Sequence, residues 1–189
     1  MRERRGLLRS YYSFVHSIVH NDLIAVLSDQ LNSPNVVSSL RVLLQGCLEG
    51  PDLQLQRQCF VILQKLVDSW GGADANFDTY VLQEMLPVCF GALAQPHFQL
   101  SDAASVQLLE AIANLQKAML LKLGGRFAAY LLDQQLPSLG CSAEFSAEYS
   151  RLLSEGDVRQ LAAYMRTSLA SASTSEGSRA PATDHNAPL

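Results

Sequence analysis

The stretch from Gly50 to Gly72 constrains the fold more than any other segment, because it predicts a helix that is apolar over most of its circumference. Pro51 and Asp52 suit the first turn of a helix, and Gly71 suits its end. At about 100° per residue, the polar side chains occupy an arc of only roughly 120°. One neighbour cannot cover the rest, so we expect this helix to pack on more than one side. The polar arc holds Gln54, Arg57, Gln58, Val61, Gln64, Lys65 and Asp68.

Helical spacing of apolar residues recurs along the chain, and no segment alternates with a period of two for long enough to predict a strand. Ser33 and Ser101 are expected to be N-caps, and Pro87 is expected to kink or end its helix. The sequence predicts helices over residues 2–20, 22–30, 34–49, 52–70, 78–90, 101–123, 126–135, 145–153 and 157–169.

The spacing of these helices predicts a repeat architecture. Starts near Pro34 and Asp78 lie about 44 residues apart and those near Asp52 and Ser101 about 49, close to the roughly 40 to 47 residues of HEAT-type helix hairpins. We therefore predict an all-α fold, a HEAT-like α-solenoid of antiparallel helix pairs over residues 1–169, with an irregular helical bundle as the alternative. Residues 170–189 lack large apolar side chains until Leu189 and cannot offset their ordering entropy, which predicts a disordered C-terminal tail.

Composition excludes several classes of protein. No run of 18 apolar residues occurs, so we expect no insertion into a membrane. The four cysteines lie far apart, which is typical of reduced thiols in a cytosolic or nuclear protein. With a formal net charge of −4, the chain has no overall attraction for nucleic acid, so any RNA contact must come from a local basic patch.

Catalytic motifs are missing from the sequence. It has no glycine-rich phosphate loop, no GxSxG and no HExxH, so we predict no enzyme activity, no catalytic residue and no cofactor. His16 and His20 lie four residues apart, a spacing that metal ligands can use. No nearby cysteine or acidic pair completes such a site, and we interpret both as ordinary helix histidines.

Basic residues supply the remaining signal for binding. Lys117, Lys122 and Arg126 form an interior segment with no acidic residue between Glu110 and Asp133, next to a Gly-Gly turn. We predict these three as RNA-binding candidates, because a phosphate backbone could approach them at a loop edge. The alternative is that these charges lie on a solvent-exposed face and bind no ligand. A second basic cluster lies on the first helix, at Arg2, Arg4, Arg5 and Arg9.

The run CFVILQKLVDSWGG, preceded by PD, resembles a helix near the C-terminal end of exportin-T, a karyopherin family that carries tRNA out of the nucleus. The segments LLRSYYSFVHSIVHNDLIAVL and LLKLGGRFAAYLLDQQLPSL also resemble this family, so the resemblance covers residues 1–169. It implies a C-terminal fragment of a nuclear export receptor that binds tRNA with RanGTP and has no catalytic role. The implied partners are tRNA, the Ran GTPase, mainly through repeats absent here, and nuclear pore proteins. The implied location is the nucleus and the cytoplasm, with shuttling between them.

A stand-alone helical-repeat scaffold that binds proteins, without an RNA role, is the alternative function. The first helix has no neighbour before it in the sequence, so we expect it to expose an apolar face that includes some of Leu7, Leu8, Tyr11 and Phe14.

Overall fold

The computed structural model describes the backbone of residues 2–50 and 52–177, and the side chains of these residues except 2, 4, 5 and 170–177. Nine helices and no strand occur in this part of the chain, which confirms the all-α, HEAT-like solenoid. The first four helices are α1 (Arg2–His20), α2 (Ala25–Ser28), α3 (Ser33–Glu49) and α4 (Leu53–Trp70).

Two of the five later helices are continuous but contain a π-helical turn. Helix α5 consists of Ala75–Tyr80, the π turn Val81–Met85 and Leu86–Gly91, and a short 3-10 turn follows at Ala92–Ala94. Helix α7 consists of Gly125–Tyr130, the π turn Leu131–Gln135 and Leu136–Ser138. The remaining helices are α6 (Ala103–Leu123), α8 (Ala143–Ser154) and α9 (Val158–Gly177). None of the described helices combines the length and the apolar character that crossing a lipid bilayer requires.

The helices form two layers. Helices α1, α4, α6 and α9 pack side by side in that order. Helix α3 packs against α4, α5 packs against α6, and α3 and α5 also contact each other. Helix α8 packs on α6 and α9. The stacked pairs are therefore α3 with α4, α5 with α6, and α8 with α9. Helix α4 contacts α1, α3 and α6, which confirms that it packs on more than one side.

Helix α4 shows why the sequence folds this way. Its apolar arc is buried, with Cys59 and Phe60 among the side chains that have no exposed surface. Trp70 is half-buried and packs edge-to-face on Phe77 with ring centroids 5.4 Å apart, so it contributes to packing. The Asp52 carboxylate accepts a hydrogen bond from the Leu55 N–H at 2.9 Å, which confirms its role as the N-cap. Pro51 lies outside the described residues.

The two serine caps predicted from the sequence are wrong. Ser33 is the first residue of α3, and the N-cap is Asn32, whose side chain makes no capping bond. At α6 the cap is Asp102, which accepts from the Ala104 N–H at 3.1 Å. In both cases an Asn or Asp, itself a favoured cap residue, lies one position from the serine, and the backbone places that residue at the helix boundary.

Several predicted helix boundaries also differ from the structure. Helix α2 covers only Ala25–Ser28, because turns replace both of its expected ends. Helix α5 begins at Ala75, since Asp74 caps it by accepting from the Asn76 N–H at 2.8 Å. Helix α9 continues to Gly177, so residues 170–177 of the expected tail belong to it. Residues 178–189 lie outside the described part, and the division into a repeat domain and a disordered tail stays a prediction.

Helix α5 passes through Pro87 to Gly91, in line with the predicted range 78–90, whereas α7 passes through Pro137, contrary to the prediction that it ends at residue 135. A π turn precedes each proline, in which the Leu86 N–H bonds to the Val81 carbonyl and the Leu136 N–H to the Leu131 carbonyl. A proline ring normally clashes with the carbonyl four residues earlier. The wider π turn relieves that clash, so each helix passes through its proline and the chain needs no extra loop.

The two proline-containing helices share a sequence pattern at a spacing of fifty residues. The pattern is Phe-x-x-Tyr-x-Leu-x-x-x-Leu-Pro, and it begins at Phe77 in α5 and at Phe127 in α7. In both copies the π turn occupies the five residues after the tyrosine. The same local sequence therefore produces the same irregularity in two successive parts of the stack.

Candidate nucleic-acid interface

Lys117 lies on α6, and its side chain is directed at the C-terminal end of α8. Its Nζ donates hydrogen bonds to the carbonyls of Leu153 at 2.8 Å, Gly156 at 2.6 Å and Leu152 at 3.3 Å. Carbonyls in the last turn of a helix have no partner within that helix, and a cation there also interacts favourably with the helix dipole. Burial lowers the pKa of Lys117, while the charge of Asp157 acts in the opposite direction. All three N–H bonds of the ammonium are therefore used within the protein.

Lys122 lies at the end of α6, where the Gly71-Gly72 turn approaches it closely. A Cβ added to Gly71 would lie 2.9 Å from the Lys122 Cβ, and one added to Gly72 would lie 2.8 Å from the Lys122 carbonyl oxygen. Gly72 also has a φ of +79°, which glycine adopts without strain. The two glycines thus let the end of α4 contact the end of α6, and the Lys122 side chain stays exposed.

Arg126 links α7 to α5 through a buried carboxylate. Its guanidinium lies 3.1 Å from Asp78 Oδ2, and the Arg126 side chain is 54% exposed whereas the Asp78 side chain is only 7% exposed. The other carboxylate oxygen of Asp78 accepts from the Gly72 N–H at 2.8 Å. Asp78 therefore joins the Gly71-Gly72 turn to the start of α7. The guanidinium has further N–H groups that face solvent and could reach an anion.

The structure brings two of the three predicted residues together and separates the third. Lys122 and Arg126 flank the Gly124-Gly125 turn, beside Gly72, and we name this region the glycine edge: Gly71, Gly72, Lys122, Gly124 and Arg126. Lys117 is five residues before Lys122 on the same helix but is engaged with α8. Neither the pairing of Arg126 with Asp78 nor the partners of Lys117 could be read from local sequence, because 35 or more residues separate each pair.

The basic cluster on α1 is described only in part. Arg9 forms an ion pair with Asp52, the N-cap of α4, at 2.6 Å. The side chains of Arg2, Arg4 and Arg5 lie outside the described residues. On α4, Arg57 and Lys65 are exposed, and neither takes part in the ion pairs found among the described side chains.

Titratable groups elsewhere in the described structure do not assemble into a metal site. His16 and His20 stack with ring centroids 5.4 Å apart, and burial is the main cause that lowers the pKa of His16, with His20 as the second cause. In the described part of the chain, no group of three or more His, Cys, Asp or Glu side chains could hold a metal ion. Cys47, Cys59 and Cys89 are buried thiols, and Cys141 is half-buried.

An apolar face on α1 is exposed, as the sequence predicts. Leu7 is 73% exposed and Phe14 is 65% exposed, while Leu8 and Tyr11 are half-buried. More large apolar residues than expected are exposed in the segment that follows, from the end of α1 to the start of α3. The additional exposed residues are Leu23, Val26, Leu31 and Val37. Their exposure could not be inferred from the sequence, because the sequence does not show how little of the neighbouring apolar surface the short helix α2 covers.

Comparison with known proteins places the chain in a family. The family model for Exportin-T matches residues 3–173. The Exportin-T proteins of Homo sapiens and Danio rerio are each 34% identical to this chain over 166 residues, which are 87% of the chain and 17% of each relative.

More distant relatives agree with this assignment. Exportin-T of Aspergillus terreus is 30% identical over 169 residues, or 81% of the chain and 16% of that protein. The chain therefore spans about a sixth of the length of the relatives it matches. No solved structure matches it. With a family model that covers most of its length and relatives at 34% identity, this chain belongs to the exportin-T family.

Proposed function

We propose that this chain forms part of a nuclear export receptor that binds tRNA together with RanGTP, moves between the nucleus and the cytoplasm, and catalyses no reaction. The observation that supports the proposal is the match to Exportin-T relatives over 87% of the chain. A stacked-helix array suits such a role, because recognition of structured RNA relies on shape and on phosphate and 2′-hydroxyl contacts. Contacts with Ran, mainly through repeats outside these 189 residues, and with nuclear pore proteins are part of the same proposal.

We assign the RNA contact to the glycine edge first. Lys122 is exposed, and Arg126 is half-exposed with guanidinium N–H groups that its bond to Asp78 does not use. With a formal net charge of −4, the chain offers no general attraction for RNA, so binding has to depend on a few local cations. Lys117 stays a predicted RNA-binding residue. To fill that role, its ammonium would have to exchange three backbone carbonyls for phosphate.

A titration of fluorescent tRNA at several salt concentrations tests the proposal. We expect affinity to fall steeply with salt, because each phosphate that a cation neutralises releases counterions. The Lys122→Ala variant should bind more weakly and should reduce the slope of log affinity against log salt by about 1. Lys65→Ala is the matched control, since it removes an exposed lysine from α4 and should leave the slope unchanged.

Arg126 requires a separate variant because it also pairs with Asp78. Arg126→Lys keeps a cation near the carboxylate but removes the planar group that binds phosphate with two parallel hydrogen bonds. Weaker tRNA binding without a large loss of stability would support direct contact. Absence of salt-dependent tRNA binding by the native chain at low salt would contradict an RNA role for this part of the protein.

A protein-binding scaffold without an RNA role is the second candidate function. The exposed apolar face of α1 supports it, because large exposed apolar patches mark interaction surfaces. The same titration separates the two functions. A chain that ignores tRNA at every salt concentration, yet binds a protein through this face, would support the scaffold.

A further inference from the structure

A largely apolar cleft lies between α3 and α5, beside the turn that joins α4 to α5. Its volume is about 520 Å³. One wall is α3, with Val36, Val37 and Leu40, and the other is the segment 70–80. Helices α3 and α5 contact each other, so the cleft is formed between two neighbouring helices of the described part of the chain.

Three aromatic side chains line the second wall. Trp70 and Phe77 meet edge-to-face, with ring centroids 5.4 Å apart and ring planes at 86°, so the two rings form a corner instead of a stack. Tyr80 lies three residues after Phe77 on α5 and lines the same cleft. Trp70 and Tyr80 are only half-buried. Part of each of these two side chains is therefore open to a ligand in the cleft.

A carboxylate lies at the edge of the aromatic wall. Asp74 is the N-cap of α5, and one of its oxygens accepts from the Asn76 N–H at 2.8 Å. Its side chain is exposed, and the ion pairs found among the described side chains do not include it. Among the described residues that line the cleft, Asp74 alone is charged. Glu84 and Arg41 lie near the Tyr80 hydroxyl and have opposite charges, so together they add no net charge.

Aromatic rings beside one carboxylate favour a particular class of ligand. The face of an aromatic ring attracts a cation, and tryptophan does so most strongly. A lysine ammonium has three N–H groups that need acceptors, and this largely apolar cleft offers few of them. A trimethylated ammonium keeps the charge, needs no acceptor, and contacts apolar surface through its methyl groups. Such a group fits the cleft better than an unmodified lysine does.

We propose that this cleft binds the trimethyl-lysine side chain of a partner protein. The ammonium lies in the corner between Trp70 and Phe77, with Tyr80 on the same wall. The Asp74 carboxylate supplies the opposite charge. This inference is independent of tRNA binding, so it can fail or succeed separately from the function proposed above.

The polar residues of the cleft favour a protein as the source of the ammonium. Ser28, Ser33 and Asn76 line the cleft and can form hydrogen bonds with the main chain of a bound peptide. Phosphocholine has the same cation, but it also carries a phosphate. That phosphate would lie close to Asp74, and the described lining contains no cation to offset the repulsion.

Fluorescence of the intact chain tests the proposal, because Trp70 is the single tryptophan of the sequence. The N-acetyl amide of trimethyl-lysine should change the emission saturably, with a Kd of about 1 mM or below. Two matched probes separate charge from shape. The N-acetyl amide of lysine has the charge without the methyl groups, and the neutral isostere has carbon in place of the ammonium nitrogen. Each should bind about tenfold more weakly. Phosphocholine should also bind more weakly than the trimethyl-lysine probe.

Variants test the roles of the carboxylate and of the aromatic wall. Asp74→Asn removes the charge but keeps a favoured N-cap residue, and it should weaken binding of the trimethyl-lysine probe about two- to fivefold. Asp68→Asn is the matched control, since Asp68 lies close to Trp70 in sequence but outside the cleft, and it should leave the Kd unchanged. Tyr80→Leu should weaken binding about tenfold, whereas Tyr80→Phe keeps the ring and should bind as the native chain does. Circular dichroism checks that the variants keep their helices.

Four results would overturn the proposal. The first is an emission that shows no saturable change with the trimethyl-lysine probe at about 10 mM, ten times a Kd of about 1 mM. The second is a neutral isostere or an unmethylated lysine that binds as tightly as trimethyl-lysine. The third is tighter binding of phosphocholine, which would assign the cleft to a different source of the ammonium. The fourth is equal weakening by Asp74→Asn and Asp68→Asn, which would exclude a direct role for the carboxylate in the cleft.

Discussion

At the scale of single residues, Lys117 stabilises a contact between two helices that are distant in sequence. Lys117→Met keeps most of the side-chain length but removes the donors for Leu152, Leu153 and Gly156. We expect the free energy of unfolding to fall by about 1–3 kcal/mol, because the Leu153 and Gly156 carbonyls lose the Lys117 donor, while Leu152 keeps the Gly156 N–H. Urea denaturation followed by circular dichroism measures this. Lys65→Met is the control and should change stability by less than about 0.5 kcal/mol; equal losses in both variants would contradict the assignment.

Arg126 compensates the charge of a carboxylate that is nearly inaccessible to water. In Arg126→Gln, the Asp78 carboxylate would keep only the Gly72 N–H as a partner. We expect a loss of about 1–3 kcal/mol in unfolding free energy, since Asp78 is buried while Arg126 is half-exposed and partly screened.

The double variant with Asp78→Asn should recover part of that loss, because no uncompensated charge then remains. Arg57→Gln is the control for removal of an exposed arginine. If the double variant were less stable than Arg126→Gln by the full cost of Asp78→Asn alone, the two side chains would not be coupled, contrary to the structure.

At the scale of helices and turns, the Gly71-Gly72 turn fixes how α4 meets α6. Gly72→Ala should lower the free energy of unfolding by about 2 kcal/mol or more, because φ is +79° and the new Cβ would lie 2.8 Å from the Lys122 carbonyl oxygen. Gly125→Ala is the matched control in the other Gly-Gly turn, since its Cβ would meet no atom within 4 Å. Thermal denaturation of both variants provides the measurement, and a similar change in Tm for both would refute the argument.

The helices were predictable where burial dictates their pattern. The wide apolar arc of α4 requires several neighbours, and α1, α3 and α6 provide them. The boundaries were less predictable, because adjacent cap residues such as Ser101 and Asp102 compete and only the folded backbone selects one. The passage of α7 through Pro137 was missed because a single proline normally indicates a helix end. The same pattern fifty residues earlier, where the predicted helix 78–90 runs through Pro87, is the signal that could have revealed it.

The candidate site was predictable only as a set of charges. The sequence shows that Lys117, Lys122 and Arg126 lie in a segment without acidic residues. It does not show that Lys117 is turned towards α8 or that Arg126 pairs with Asp78, because both partners come from other helices. Such contacts depend on how the helix pairs stack on one another, and the local spacing of residues does not predict that stacking.

At the scale of the whole molecule, buried cysteine thiols and tyrosine hydroxyls are expected to make the folded state less stable at alkaline pH. Burial raises the pKa of the Cys89 thiol from 9.0 to about 12 and that of the Tyr12 hydroxyl from 10.0 to about 12. Burial also raises the pKa of Cys47 and of Tyr149, whose hydroxyl donates to Gln116. In the unfolded chain these groups ionise near their ordinary values, while the folded chain keeps them protonated.

The sign of the effect follows from proton binding. Between the unfolded and folded pKa values the folded state holds more protons, so the stability contributed by these groups is complete below pH 9 and falls as pH rises towards 12. We expect the free energy of unfolding to drop by up to about 1.4 kcal/mol per pH unit for each group in that range.

In Cys89→Ala, the free energy of unfolding should fall less steeply with pH, by up to about 1.4 kcal/mol per pH unit, because one titrating group is removed. Urea denaturation from pH 8 to 11 measures this slope. Cys141→Ala is the control, because Cys141 is only half-buried and its removal should change the slope less. A slope that is identical in the native chain and in Cys89→Ala would contradict the argument.

The hydrogen bonds of Lys117 also mean that the reactivity of its amine should depend on whether α8 is packed on α6. The sequence contains three lysines, and Lys65 and Lys122 are exposed, whereas the amine of Lys117 is bonded to three carbonyls of α8 and its end. An acylating reagent should therefore modify Lys65 and Lys122 at once and reach Lys117 only when α8 separates from α6. Mass spectrometry can measure the rate of acylation at Lys117. That rate would report how often α8 separates from α6 in the native protein, and no added probe would be needed.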